Sequence, residues 1–172
     1  MLSCSFFGHR EEDYFPYGRK IETIIIGLIE DCGLAQFHSG YRGEFERFCA
    51  YIVSSLKEKY PFIRNTMVLS YPRQINLSLL PLFDDSVYLL KDTKIPPRYA
   101  IPQTNQKLVD LSNYIISGVN HDSGGAFTAC NYAKKHSKLI ISIYDELIWK
   151  KLFFTLSASY FRFYTVYPPM IN

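Results

Sequence analysis

Phe37-His38-Ser39-Gly40-Tyr41-Arg42-Gly43-Glu44-Phe45-Glu46 reads as the end of a strand, a glycine-bearing loop and the start of a helix. Upstream, residues 34–38 form a short apolar strand. Downstream, residues 44–60 carry Phe45, Phe48, Cys49, Ile52, Val53 and Leu56 at helical spacing, which makes one apolar stripe. Glu44 and Glu46 fall in the first turn and Lys57 and Lys59 in the last, as the helix dipole prefers, and Pro61 stops the helix. A strand running through glycines into an amphipathic helix is half of a β-α-β unit, so the rest of the chain should repeat it.

It does. Residues 2–7 read as a buried strand ending at Gly8-His9-Arg10. Residues 19–32 are a helix with Ile21, Ile24, Ile25, Leu28 and Ile29 on one face and Gly33 as a left-handed cap. Residues 66–71 are a third strand. The stretch 72–103, with Pro72, Pro81, Pro96, Pro97 and Pro102 and no sustained period, reads as a long functional loop with a short helix around 77–83. A short helix at 105–111, a strand at 113–119, a polar turn at 120–125, a helix at 124–136 and a strand at 138–143 follow. The helix at 124–136 has a small-residue stripe, Ala126, Ala129, Cys130 and Ala133, which lets it pack close to a sheet. This alternation predicts an α/β fold, a doubly wound, mainly parallel five-stranded sheet with helices on both faces. The domain is expected to span residues 1–143. Residues 144–172 are expected to form an aromatic C-terminal extension packing on the domain or on a partner, with Tyr160, Phe161, Phe163, Tyr164 and Tyr167 as a self-association surface, so a homo-oligomer is expected.

Composition excludes several classes. The chain has 172 residues, the size of one domain, and its 48% hydrophobic and 16% aromatic content is incompatible with disorder. A net charge of +3 without a Lys/Arg block gives no electrostatic case for nucleic acid, which is not expected as a partner. The N-terminus lacks a basic signal-peptide region. The aromatic stretch 152–167 is broken by Arg162 and is shorter than the ~20 apolar residues a spanning helix needs, so no membrane is expected. Cys4, Cys32, Cys49 and Cys130 form no Cys-x-x-Cys pair, so free thiols and a cytoplasmic location are expected.

In open parallel sheets ligands bind beyond the carboxyl ends of the strands, where strand order reverses. Three loops lie at such ends: Gly8-His9-Arg10, Ser39-Gly40-Tyr41-Arg42-Gly43 and Asn120-His121-Asp122-Ser123-Gly124-Gly125. The second and third lead into helices whose unpaired N–H groups suit an anion, a phosphate above all. Arg10, Arg42 and Arg98 are candidate phosphate contacts, with surface salt bridges as the alternative for Arg10. Glu44 and Glu46 either cap the helix dipole or, for Glu46, take a ribose hydroxyl. Tyr41, Tyr71 and Tyr99 either stack on a base or pack as a lid. His9, His38 and His121 end adjacent strands if the order is third-second-first-fourth-fifth. The outer pair would then be about 10 Å apart, so no metal site is expected. A triad from Ser123, His121 and Asp122 is disfavoured because consecutive side chains diverge.

Phe7-Gly8-His9-Arg10, then Phe37 to Glu46, then Pro97-Arg98-Tyr99-Ala100-Ile101, then Ser123-Gly124-Gly125-Ala126 resemble the YpsA-like branch of the SLOG superfamily, which includes DprA and the LOG phosphoribohydrolases. The resemblance covers residues 2–143 and implies a Rossmann-like sheet binding a nucleotide or ADP-ribose-type ligand. Three departures stand out. Phe45-Glu46 replaces the usual Phe-Asp, Thr104-Asn105 replaces an Arg-Asn pair, and no glutamate follows Gly124-Gly125 where the LOG enzymes carry theirs. The expected function is non-catalytic sensing or sequestration of such a ligand, without a cofactor. The alternative is an N-glycosidase or phosphoribohydrolase using Glu44 or Glu46.

Overall fold

The computed structural model describes residues 1–71, 77–91 and 95–146. The first part of the chain gives β1 (Ser3–Gly8), α1 (Gly18–Cys32), β2 (Gln36–Ser39), α2 (Glu44–Leu56) and β3 (Arg64–Leu69). Then come β4 (Asp85–Tyr88), α3 (Pro97–Leu111), β5 (Tyr114–Gly118), α4 (Gly124–Lys135) and β6 (Leu139–Ser142). Single 3-10 segments cover Phe15–Tyr17 and Leu77–Leu82.

The sheet has six strands in the order β4-β3-β2-β1-β5-β6, every neighbouring pair parallel. The five expected strands therefore take the third-second-first-fourth-fifth order, and β4 is an added edge strand. Its sequence hides it, because Asp85 and Ser86 are exposed and Val87 and Tyr88 only half-buried, so no apolar alternation marks it. What holds it is Asp84, just before it. The Asp84 carboxylate accepts the Asn65 N–H at 2.7 Å and pairs with Lys57 at 2.8 Å.

The alternation of side chains in the strands divides the core between the two faces. Phe6 and Ile116 join Phe37, Phe45, Ile24 and Ile25 under α1 and α2. Their neighbours Phe7 and Ile115 face the other way, against Leu108 and Val109 of α3 and Ala129, Cys130 and Ala133 of α4. Each fully buried side chain of this size is worth roughly 1.5–3 kcal/mol, so the isoleucine stripe of α1 is enough to fix that helix on the sheet. α1 ends at Gly33, whose φ of 65° is left-handed.

Two helices differ from their expected bounds. α3 begins at Pro97, not at 105. Pro97 sits in the first turn, where its missing N–H costs nothing, and Pro102 lies inside the helix, a position that sequence reading treats as a break. α2 ends at Leu56, so Lys57 and Lys59 lie beyond its last turn. The extension expected for residues 144–172 falls, after residue 146, outside the described residues.

Candidate functional site

Strand order reverses between β1 and β5, and the fold is built to open there. Gly8 and Gly118 are register partners at the ends of these strands. The Phe45 ring of α2 lies over both glycines. A Cβ on Gly118 would come within 2.6 Å of that ring and 2.8 Å of Tyr14. The Tyr14 hydroxyl accepts the His9 N–H and donates to the Gly118 carbonyl, each at 2.8 Å, closing the backbone groups left where the strands part.

Above this point lies a cleft of about 340 Å³. From the expected residues it gathers Gly8, His9 and Arg10 after β1, Gly40, Tyr41, Arg42, Gly43 and Glu46 around the start of α2, and Gly124 and Gly125 at the start of α4. It also takes in Phe7, Val68, Ser70, Ile101, Asn105 and Ala126. Of these, Phe7, Ile101 and Ala126 stood within the quoted motifs and Asn105 beside them. Phe7 and Val68 are apolar strand residues packed on the α3–α4 side, and Ser70 lies just beyond the end of β3.

The other expected residues serve the walls rather than the cavity. Ser39 is buried and its hydroxyl bonds Asn65 Oδ1 at 3.0 Å. Tyr71 donates to the Pro97 carbonyl at 2.9 Å, which ties β3 to the start of α3, and its ring lies 5.0 Å from the Arg42 guanidinium. Arg98 sits over the Tyr99 ring at 4.7 Å. Asn120 bonds Glu12 at 3.0 Å, and the Ser123 hydroxyl bonds His121 Nδ1 at 2.9 Å. Glu44 is exposed and paired with Arg47, outside the cleft.

The two helix N-termini that border the cleft are not equivalent. At α2, the Glu44 N–H donates to the Arg10 carbonyl at 3.2 Å, and the Glu46 carboxylate turns back to accept its own N–H. Gly43 makes this possible, since a Cβ there would collide with that carboxylate. The α2 terminus is thus occupied by the chain's own carboxylate. One oxygen of it, Oε2, is buried without a hydrogen-bond partner among the described residues. Burial pushes the Glu46 carboxyl up to about 7, against which its own N–H and the Arg10 charge act more weakly. At α4, no side chain caps the terminus, because the Ser123 hydroxyl is committed to His121. Gly124 has φ 85°, and nothing lies within 4 Å of where its Cβ would be. Gly124, Gly125 and Ala126 of this first turn line the cleft, and the unpaired N–H groups of a helix's first turn suit an anion. The cleft therefore has an uncapped helix terminus on its α4 side and a buried carboxyl, Glu46, on its α2 side.

His9, Glu12 and His121 bring possible ligand atoms within 4.8 Å of one another, which the strand-spacing argument did not foresee, because the loop carrying His121 folds back over β1. His38 is not among them; its Nδ1 is buried without a partner among the described residues, and burial lowers its basicity. The cluster is poorly made for a metal. His9 Nε2 already accepts the N–H groups of Asn120 at 3.2 Å and His121 at 3.4 Å, so the neutral ring carries its proton on Nδ1 and has no free lone pair. Burial, and then His121, hold His9 below the usual histidine range, in keeping with that neutral form. These contacts hold the loop that presents the α4 terminus.

No protein-family model matches the chain, and no curated relative matches it. Solved structures do. DNA processing protein A from Streptococcus pneumoniae superposes with a TM-score of 0.60 at 14% identity, covering 83% of this chain and 50% of that one. The molybdenum cofactor binding protein of Rippkaea orientalis gives 0.54 at 16% identity, covering 91% and 84%. DNA processing protein A from Helicobacter pylori gives 0.55 at 17% identity, covering 82% and 64%. The chain spans about half the length of the first of these chains and under two thirds of the third. At these identities the likeness shows the fold alone, which is DprA-like and Rossmann-like.

One expectation is corrected here. Nucleic acid was set aside on the mild net charge, yet the Helicobacter pylori structure is described as showing a single-stranded DNA binding mode. A net charge of +3 averages over the whole chain, whereas Arg10, Arg42 and Arg47 border one depression beside the cleft. Charge of this size does not exclude nucleic acid for a chain of this fold. As for membranes, among the described residues no helix is long and apolar enough to cross one.

Proposed function

We propose that the cleft binds a nucleotide-type small molecule. Its phosphate sits on the open N-terminus of α4 at Gly124-Gly125-Ala126 beside Arg10, and a ribose hydroxyl bonds Glu46. The observation that carries this reading is the pairing of an uncapped helix terminus with a buried, unpartnered carboxylate oxygen across one cleft. An anion alone would not use Glu46, and a neutral sugar would not use α4; a sugar phosphate uses both. Binding without turnover is the favoured form, since Glu46 is the cleft's only carboxylate among the described residues and no nucleophile stands paired with it.

The test is thermal stabilisation by adenosine 5′-monophosphate and ADP-ribose. Wild type should be stabilised, and Arg10→Ala and Gly125→Val should lose most of the shift while keeping their unliganded melting temperature. Equal stabilisation in all three proteins would refute the site. Chromatography of the ligand after denaturing the protein separates binding from hydrolysis: intact ligand supports a binder, released base an N-glycosidase.

A second reading rests on a separate feature. Arg10, Arg42 and Arg47 with Tyr41 border the neighbouring depression, and Arg42 lies 5.6 Å from the Tyr41 ring centre. Basic and aromatic side chains interleaved in this way suit single-stranded nucleic acid, through phosphate contacts and stacked bases. A salt-dependent shift of a labelled oligonucleotide, lost in Arg42→Ala and Arg47→Ala, supports it; no shift at low salt removes it.

A further inference from the structure

Beside the cleft, between the first turns of α3 and α4, is a smaller cavity of about 90 Å³ that shares Ile101, Asn105 and Gly125 with it. We propose that this slot takes the planar ring of the ligand, a nucleobase or similar heteroaromatic, and that the carboxamides of Asn105 and Gln106 read the edge of that ring. The proposal rests on the nucleotide reading above and adds where its base goes.

Continuity is the first support. Gly125 lines both the cleft and the slot, so a ligand anchored on α4 lies directly beside the slot. A Cβ on Gly125 would fit in ordinary contact, 3.8 Å from Asn105 Nδ2, so only a larger side chain would narrow the passage.

The second support is chemical. Ile101 and Pro102 on α3 and Ala129 on α4 supply apolar surface for the two faces of a ring. Asn105 and Gln106 place two carboxamides at the same slot, each with a donor and an acceptor. The Asn105 side chain has no hydrogen-bond partner among the described residues, whereas the nearby Thr128 hydroxyl already donates to the Gly124 carbonyl at 3.0 Å. A half-buried amide without a partner, at the mouth of an apolar slot, is placed to pair with a ligand edge.

The rival place for a ring is the Tyr41 side chain at the other end of the cleft. The Arg42 guanidinium already lies over that ring and over Tyr71, at 5.6 and 5.0 Å. The slot between α3 and α4 is the less committed surface.

Isothermal titration with ribose 5-phosphate, adenosine 5′-monophosphate and cytidine 5′-monophosphate tests the proposal. At least one mononucleotide should bind at least about tenfold more tightly than ribose 5-phosphate. In Asn105→Ala and Gln106→Ala that advantage should shrink, with ribose 5-phosphate binding unchanged in Gln106→Ala, since Gln106 lines the slot and not the main cleft. Gln106 is exposed, so its variant keeps the test valid if Asn105→Ala misfolds. Equal affinity for ribose 5-phosphate and both mononucleotides, or an advantage intact in both variants, overturns the slot and leaves the nucleotide reading standing. Failure of all three compounds to bind overturns that reading, and the slot with it.

Discussion

The imidazole of His9 lies flat against that of His121, with ring centres 3.4 Å apart and planes 10° from parallel. The stack joins the end of β1 to the loop before α4, and His121 passes the connection on to Ser123 through its Nδ1. His9 thereby positions the loop that leads into α4, with its Nε2 committed to backbone N–H groups. Its removal leaves two backbone N–H groups, those of Asn120 and His121, without their acceptor. His9→Ala should therefore cost about 1–3 kcal/mol, and amide exchange at Asn120 and His121 should accelerate by more than the global loss explains. Unchanged exchange at those two amides would show that the stack does not hold the loop.

Glu46 and His9 make opposite contributions to the pH dependence of stability. The Glu46 carboxyl, raised from 4.5 to about 7, binds a proton more readily in the folded chain. Its contribution is full below 4.5 and is lost as pH rises through about 7. His9 is depressed below 6.5, so its contribution is present above that value and is lost as pH falls. Glu46→Gln should flatten the decline of melting temperature between pH 5 and 8 and leave the variant more stable than wild type at pH 8. Parallel curves for the two proteins would mean that Glu46 is solvated and ionised throughout.

Gly118 meets Phe45 and Tyr14 where a methyl group has no room. Gly118→Ala should cost about 1–3 kcal/mol by overpacking, read from a denaturant midpoint with the slope unchanged. The cost should drop when combined with Phe45→Leu, because the two residues compete for the same space. Additive effects would place the Phe45 ring elsewhere.

Much of this arrangement was legible in the sequence. The isoleucine stripe of α1, the aromatic stripe of α2 and the glycine loops at strand ends led directly to a parallel doubly wound sheet. The same reading named Gly8, Arg10, Gly40, Gly43, Glu46, Gly124 and Gly125, all of which line the cleft. The misses have physical causes. β4 is short and half exposed, and what anchors it is the contact of Asp84 with Asn65 and Lys57, pairings between distant parts of the chain. The first two turns of α3 are masked by Pro97 and Pro102, so Asn105 appeared near a helix start rather than on a wall of the cleft. The two glycine loops looked alike in sequence. Only the fold reveals that Glu46 fills one of them while Ser123, turned toward His121, leaves the other open.

The most direct test of the central claim is a titration of the isotopically labelled protein with adenosine 5′-monophosphate, followed by backbone amide chemical shifts. The largest shifts should fall on Gly124, Gly125 and Ala126, with smaller ones at His9 and Arg10, and should disappear in Gly125→Val. No saturable shift at all, or shifts confined to residues outside the cleft, would contradict the account.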